Sequence, residues 1–195
     1  MNTKKIVLKS VHPEEYPDLV IECRVLKNEE IGGYLSTIPQ EKKTKAYKSA
    51  TVTARRGTVG EEVKSVLTTV YEGRVYILGE EKGVVKERDG EVDIVVTNTN
   101  STSNESYVVK AKKFASTYEP VIGTSEYRPV RDERELTEVP ENVIITTAWG
   151  SEAVCLKGSF IVTYDAPTND YNVIERGAKE ATYTEVEQPK RLLRQ

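Results

Sequence analysis

The chain has 195 residues, 37% of them hydrophobic and 30% charged, with a formal net charge of −3. This composition supports modest cores and rules out disorder throughout, and no apolar run approaches the roughly 20 residues that cross a bilayer. The only basic concentration is a short tail, PKRLLRQ, which argues against nucleic-acid binding.

The N-terminal segment MNTKKIVLKSVHPEE has no long apolar h-region and no small-residue cleavage site, so no secretory signal is visible. Residues 5–11 and 18–26 read as strands, punctuated by His12-Pro13 and Tyr16-Pro17. In the second, Leu19, Ile21, Cys23 and Val25 alternate with Val20, Glu22, Arg24 and Leu26, a period of two with one consistently apolar face. Ile31-Gly32-Gly33-Tyr34-Leu35 is expected to turn into another short strand, and Pro39 to Lys45 reads as a linker. Cys23 and Cys155 sit far apart in alternating apolar contexts, so they read as reduced core thiols of an intracellular, cytoplasmic protein.

Ala50 to Arg55 is a predicted strand, followed by a turn at Gly57-Thr58-Val59-Gly60. That turn lacks the spacing and the Lys-Ser/Thr pair of a phosphate loop. Val63 to Tyr71 and Arg74 to Leu78 are strand-like, joined through Glu72-Gly73. Glu80 to Glu91 reads as a charged hairpin with turns at Gly83 and Asp89-Gly90. Val92 to Thr97 is a strand, Asn98 to Ser106 a polar loop, and Lys110 to Tyr118 a short helix.

From there the chain repeats itself. Val95-Val96-Thr97 through Ser116-Thr117-Tyr118 returns as Ile161-Val162-Thr163 through Ala181-Thr182-Tyr183. Val109 precedes Tyr118 by nine residues, as Ile174 precedes Tyr183. Upstream, an offset of 80 aligns Tyr47 with Tyr127, Val59 with Val139, Glu61 with Glu141 and Val63 with Val143. The expected fold is mainly β (α+β), with two related small antiparallel-sheet subdomains, each closed by a short helix. Residues 1–45 would hold N-terminal strands and a linker, 46–119 the first unit, 120–188 the second and 189–195 a basic tail. The second unit has thirteen acidic residues against six basic.

Ala148-Trp149-Gly150, the run Leu156-Lys157-Gly158-Ser159-Phe160-Ile161-Val162, Tyr171 and Ala181-Thr182-Tyr183 together resemble the PGDYG family, a small bacterial and phage domain. The resemblance covers about residues 126–186, and 46–119 more weakly. Lys157 stands where that motif has proline, and Ser159-Phe160 where it has Asp-Tyr. The resemblance implies a compact strand-rich domain closed by a short helix and supplies no chemistry.

Catalytic equipment is sparse. His12 is the only histidine and lies before proline, so no Ser-His-Asp or Cys-His arrangement is expected. Two Cys and one His are too few for a four-ligand zinc site, and neither a metal nor a cofactor is expected. Eleven tyrosines suit contact surfaces. The candidate contacts are Trp149, Tyr118, Tyr183, Tyr107 and Tyr171, with Asp132, Glu133 and Glu135 as an acidic patch that would draw a basic partner. The expected function is a non-enzymatic protein-binding factor, of phage or mobile-element origin by the family resemblance, acting in a host cytoplasm. The alternative is a binder of a small anionic or nucleotide-like ligand stacked on Trp149 or a tyrosine.

Overall fold

The computed structural model describes residues 2–99, 105–147, 150–164 and 170–187. The chain is mainly β, with several antiparallel sheets and short helices. Strands β1 (Thr3–Ser10) and β2 (Leu19–Leu26) form an antiparallel hairpin in which Ile6 lies opposite Ile21 and Leu8 opposite Leu19. Its turn folds Tyr16 inward, where the hydroxyl donates to the Val75 carbonyl at 2.8 Å and accepts the Val75 N–H at 3.0 Å.

The expected turn and strand around Gly32-Gly33 is instead a helix, α1 (Asn28–Thr37). Glu29 and Glu30 favour its positive N-terminal end, and the Glu30 carboxylate accepts the Lys27 N–H at 2.8 Å. Ile31, Tyr34, Leu35 and Ile38 recur at helical spacing and are all buried. That burial outweighs a cost of about 1 kcal/mol per glycine. Gly32 has a packing reason too, since a Cβ there would lie 3.2 Å from the Tyr171 hydroxyl.

The expected linker is also structured. After one 3-10 turn, β3 (Lys43–Lys48) runs into β4 (Val52–Arg56). A long hairpin follows, β5 (Glu62–Tyr71) and β6 (Arg74–Val84), turning on Glu72 and Gly73 with φ of 50° and 76°. Gly83 is no turn: it lies inside β6, and a Cβ there would lie 2.9 Å from a Val108 methyl. Asp89-Gly90 does turn, between β7 (Glu87–Arg88) and β8 (Glu91–Val92), with both φ values positive.

Next come β9 (Ile94–Asn98), β10 (Ser106–Val109), α2 (Ala111–Thr117), β11 (Tyr118–Pro120) and β12 (Glu126–Pro129). The second stretch contains β13 (Arg134–Glu138), β14 (Val143–Thr146), β15 (Glu152–Cys155), β16 (Phe160–Thr163), β17 (Tyr171–Ile174), α3 (Arg176–Thr182) and β18 (Tyr183–Glu185). Both repeat helices stand where the sequence places them.

Two five-stranded sheets are built alike, in the orders β10-β9-β4-β12-β11 and β17-β16-β13-β3-β18. Their registers correspond: Thr53 faces Thr97 as Glu135 faces Thr163, and Pro120 faces Tyr127 as Glu185 faces Ala46. The fourth strand of each sheet is exchanged. β3 precedes β4 in sequence but pairs with β13 and β18, while β12 precedes β13 but pairs with β4 and β11. These registers make Tyr127 the counterpart of Ala46, not of Tyr47. The 80-residue offset is one short there, and one residue of slip reverses the face of every side chain.

The remaining sheet has six strands in the order β15-β14-β2-β1-β6-β5. The hairpins β5–β6 and β14–β15 form its two ends, with the N-terminal hairpin between them. β14 runs parallel to β2. Val143 and Ile145 meet Ile31, Tyr34 and Leu35 of α1 and Ile161 and Tyr171 of β16 and β17 in one core. Ile144 points the other way, into a cluster with Leu8, Ile21, Cys23 and Tyr76. Each such fully buried Ile or Leu contributes about 1.5–3 kcal/mol.

Candidate functional site

Three of the expected contact tyrosines converge where the two five-stranded sheets meet. Tyr118 caps α2 and stacks on Phe114 at 5.1 Å. Its hydroxyl lies 2.7 Å from that of Tyr107 on β10. The Lys48 ammonium, on the exchanged strand β3, donates to the Tyr107 hydroxyl at 3.3 Å, the Tyr118 hydroxyl at 3.5 Å and Asn98 Oδ1 at 3.3 Å. It also sits 5.7 and 5.8 Å from the two ring centroids. Burial, followed by the neighbouring Tyr118, pushes the Tyr107 phenol well above its ordinary range. Burial and then Tyr164 do the same to Tyr183. The cluster is a polar tie between sheets.

Tyr171 does not join it. It is buried in the core beneath α1, beside Gly32. The register explains the separation: Tyr107 lies opposite Val96, whereas Asn172 lies opposite the equivalent Val162, so Tyr171 occupies the neighbouring position and the other face. Two of the three residues of the acidic patch are neutralised by neighbouring arginines. Asp132 accepts from Arg134, and Glu133 from Arg131 at 2.7 Å. Glu135 is exposed and lies opposite Lys45. Trp149 and the 189–195 tail lie outside the described residues.

Cys23 and Cys155 are free, fully buried thiols, and burial raises the pKa of each. His12 is exposed on the β1–β2 turn, its Nδ1 3.7 Å from Glu14. With Glu15 it forms a surface group whose ligand atoms lie within 4.8 Å of one another. Two open hollows of about 570 and 410 Å³ share Arg24 in their walls, and Arg24 already reaches Glu141 at 3.3 Å.

The most distinctive surface is one that sequence reasoning missed. In an antiparallel ladder, directly opposite residues share a face, and alternation carries that face along each strand. Val7 lies opposite Val20, Lys9 opposite Ile77, Ile77 opposite Thr68, and Val75 opposite Val70. The Val11 N–H extends the ladder to the Val75 carbonyl at 3.2 Å. Alternation adds Val66 on β5, and Glu62, on the same face as Val66, brings in its partner Val84. Val7, Val11, Val20, Val66, Val70 and Val84 are thus on one face, each between 38% and 63% exposed. Among the described residues they are six of the nine exposed large apolar side chains.

At the β14 end, this face is covered by α1 through Leu26, Val143 and Ile145. Over β2, β1, β6 and β5 the valines lie open. Charged pairs stand among the valines: Lys9, between Val7 and Val11, pairs with Asp18 at 2.6 Å, and Lys64 and Lys82, between Val66 and Val84, pair with Glu62 at 3.6 and 2.8 Å. A signal was present in the sequence. Ile6-Val7-Leu8 and Leu19-Val20-Ile21 are apolar at both parities, the pattern of strands covered on two faces.

Compared with known proteins, the chain matches no family model, no curated protein and no solved structure.

Proposed function

We propose that this protein works by binding another protein through the open valine face of its six-stranded sheet, and not by catalysis. One observation carries this reading: six half-exposed valines gathered on one face, with the charged side chains among them already held in ion pairs. Contiguous apolar surface on a folded protein marks an interaction site, and β-sheet faces bury such surface by packing against a second layer. The chemistry elsewhere supports it. The thiols are buried with raised pKa values, and His12 stands in an open turn. Both cysteines are free, which suits a reducing cytoplasm. The acidic patch is a weaker recruiter than its charge count implies, because Asp132 and Glu133 each hold an arginine.

The test is a photo-cross-linking amino acid placed at Val20 or Val70 in the full chain, expressed in the cells that make it, with Glu119 as the control position. Adducts to one protein species from the valine positions alone are the expected result. Equal labelling from all three positions would remove the face as the docking surface.

A further inference from the structure

We propose that the β1–β2 turn is a divalent transition-metal site, with His12, Glu14 and Glu15 as its three protein ligands and water in the remaining positions. This goes beyond the proposed function and does not depend on what the valine face binds. The turn reads Val11-His12-Pro13-Glu14-Glu15-Tyr16. The Glu15 and Tyr16 N–H groups both donate to the His12 carbonyl, at 2.9 and 3.1 Å, so the backbone closes into one helical turn. Residues three apart are neighbours on such a turn, which sets Glu15 beside His12. Pro13 has the fixed φ that the start of a helical turn needs. Both ends of the turn are pinned. The His12 N–H donates to Ser10 Oγ at 3.0 Å, and the buried Tyr16 is tied to the Val75 backbone through its hydroxyl. The Tyr16 ring also meets the imidazole in a T-shaped contact at 6.1 Å.

The donor set selects the kind of ion. The ligand atoms of the three side chains lie within 4.8 Å of one another. His12 Nδ1 stands 3.7 Å from Glu14 Oε1. That is too long for a hydrogen bond, and close to the roughly 3–3.5 Å that separates two ligands bonded to one ion at about 2.1 Å. All three side chains are exposed, so small rotations close the difference. Nothing else claims them. Among the described residues no lysine or arginine pairs with Glu14 or Glu15, and Lys9 on the same hairpin is held by Asp18. Carboxylates alone suit calcium and magnesium, whereas an imidazole among them shifts the preference to zinc, nickel and their neighbours. The chain's cysteines and histidine are too few for a closed four-ligand zinc site. Three protein ligands and a water are the open arrangement that zinc also takes.

The experiment is a titration of the untagged full chain with zinc chloride, from about 1 µM to about 1 mM. It is read by the imidazole proton resonances of His12, the one histidine of the chain, with calorimetry for the stoichiometry. One zinc per chain and a shift of the His12 resonances are the expected result. Binding should weaken as pH falls, because protons compete for the imidazole. His12→Ala should abolish it, and Glu14→Gln and Glu15→Gln should each weaken it roughly tenfold or more. Calcium at about 1 mM should not displace the zinc. Circular dichroism checks that the three variants, all at exposed positions, remain folded. A wild type that binds no zinc at about 1 mM would overturn the proposal. So would binding that survives His12→Ala or yields to calcium, which leaves a plain acidic surface. Binding indifferent to either carboxylate variant would sink the three-ligand site as well.

Discussion

Glu61 is held firmly in one charge state. Arg55 grips its carboxylate with both guanidinium nitrogens, and the Thr58 N–H donates to it at 3.0 Å. The Arg55 hydrogen bonds, then that of Thr58, hold its pKa down to about 2 from an ordinary 4.5. A depressed carboxylate contributes stability that is present above the unfolded value and is lost as pH falls through the folded one. The difference in urea midpoint between wild type and Glu61→Gln should therefore be constant at neutral pH, shrink from about pH 4.5 downward and vanish near pH 2. The cysteines make a prediction about reactivity. With both thiols fully buried and their pKa values raised, neither should react with a disulfide reagent in the native protein, and both should react in guanidinium. Fast native labelling of Cys155 would speak for a nucleophile and against a purely binding role.

At the scale of elements, α1 and the Gly57 turn carry the clearest consequences. Ile31 is wholly buried between the helix and β14, so Ile31→Ala should cost about 2–5 kcal/mol in denaturant unfolding. Gly57 reads in the sequence as a turn residue, and its reason in the fold is close packing. A Cβ there would lie 2.6 Å from both Val85 methyls and 3.1 Å from the Asp93 carbonyl. Gly57→Ala should lose about 1–3 kcal/mol by overpacking. Adding Val85→Ala should return part of that loss, which a double-mutant cycle reads directly.

Strand exchange governs the molecule as a whole. Each five-stranded sheet takes its fourth strand from the other copy of the repeat. A cut after Gly123, between β11 and β12, leaves β11 without β12, and leaves β13 and β18 without β3. Residues 1–123 and 124–195 expressed separately should each fail to fold. Mixed, they should regain the native circular dichroism spectrum, because each half supplies the strand the other lacks. Independent folding of 124–195 alone would show that the exchanged strand is dispensable. Lys48, joining β3 to Tyr107 and Tyr118, is the side chain that ties the exchange together.

The β-rich class, the helices at 111–117 and 176–182 and the existence of a repeat were all legible in the sequence, because each rests on local periodicity or on self-comparison. Tyr118 and Tyr183 could be placed as the paired ends of those helices for the same reason. Which sheet β3 and β12 join was not legible, since strand partners are chosen by contacts distant in sequence. The same holds for α1: the double glycine favours a turn locally, and the core formed by Val143, Ile145 and Tyr171 is what makes a helix the better state. The valine face was readable as apolar strands but not as a surface. Whether a side chain on a strand is covered depends on what packs above it, and α1 covers one end of this sheet face and leaves the other open.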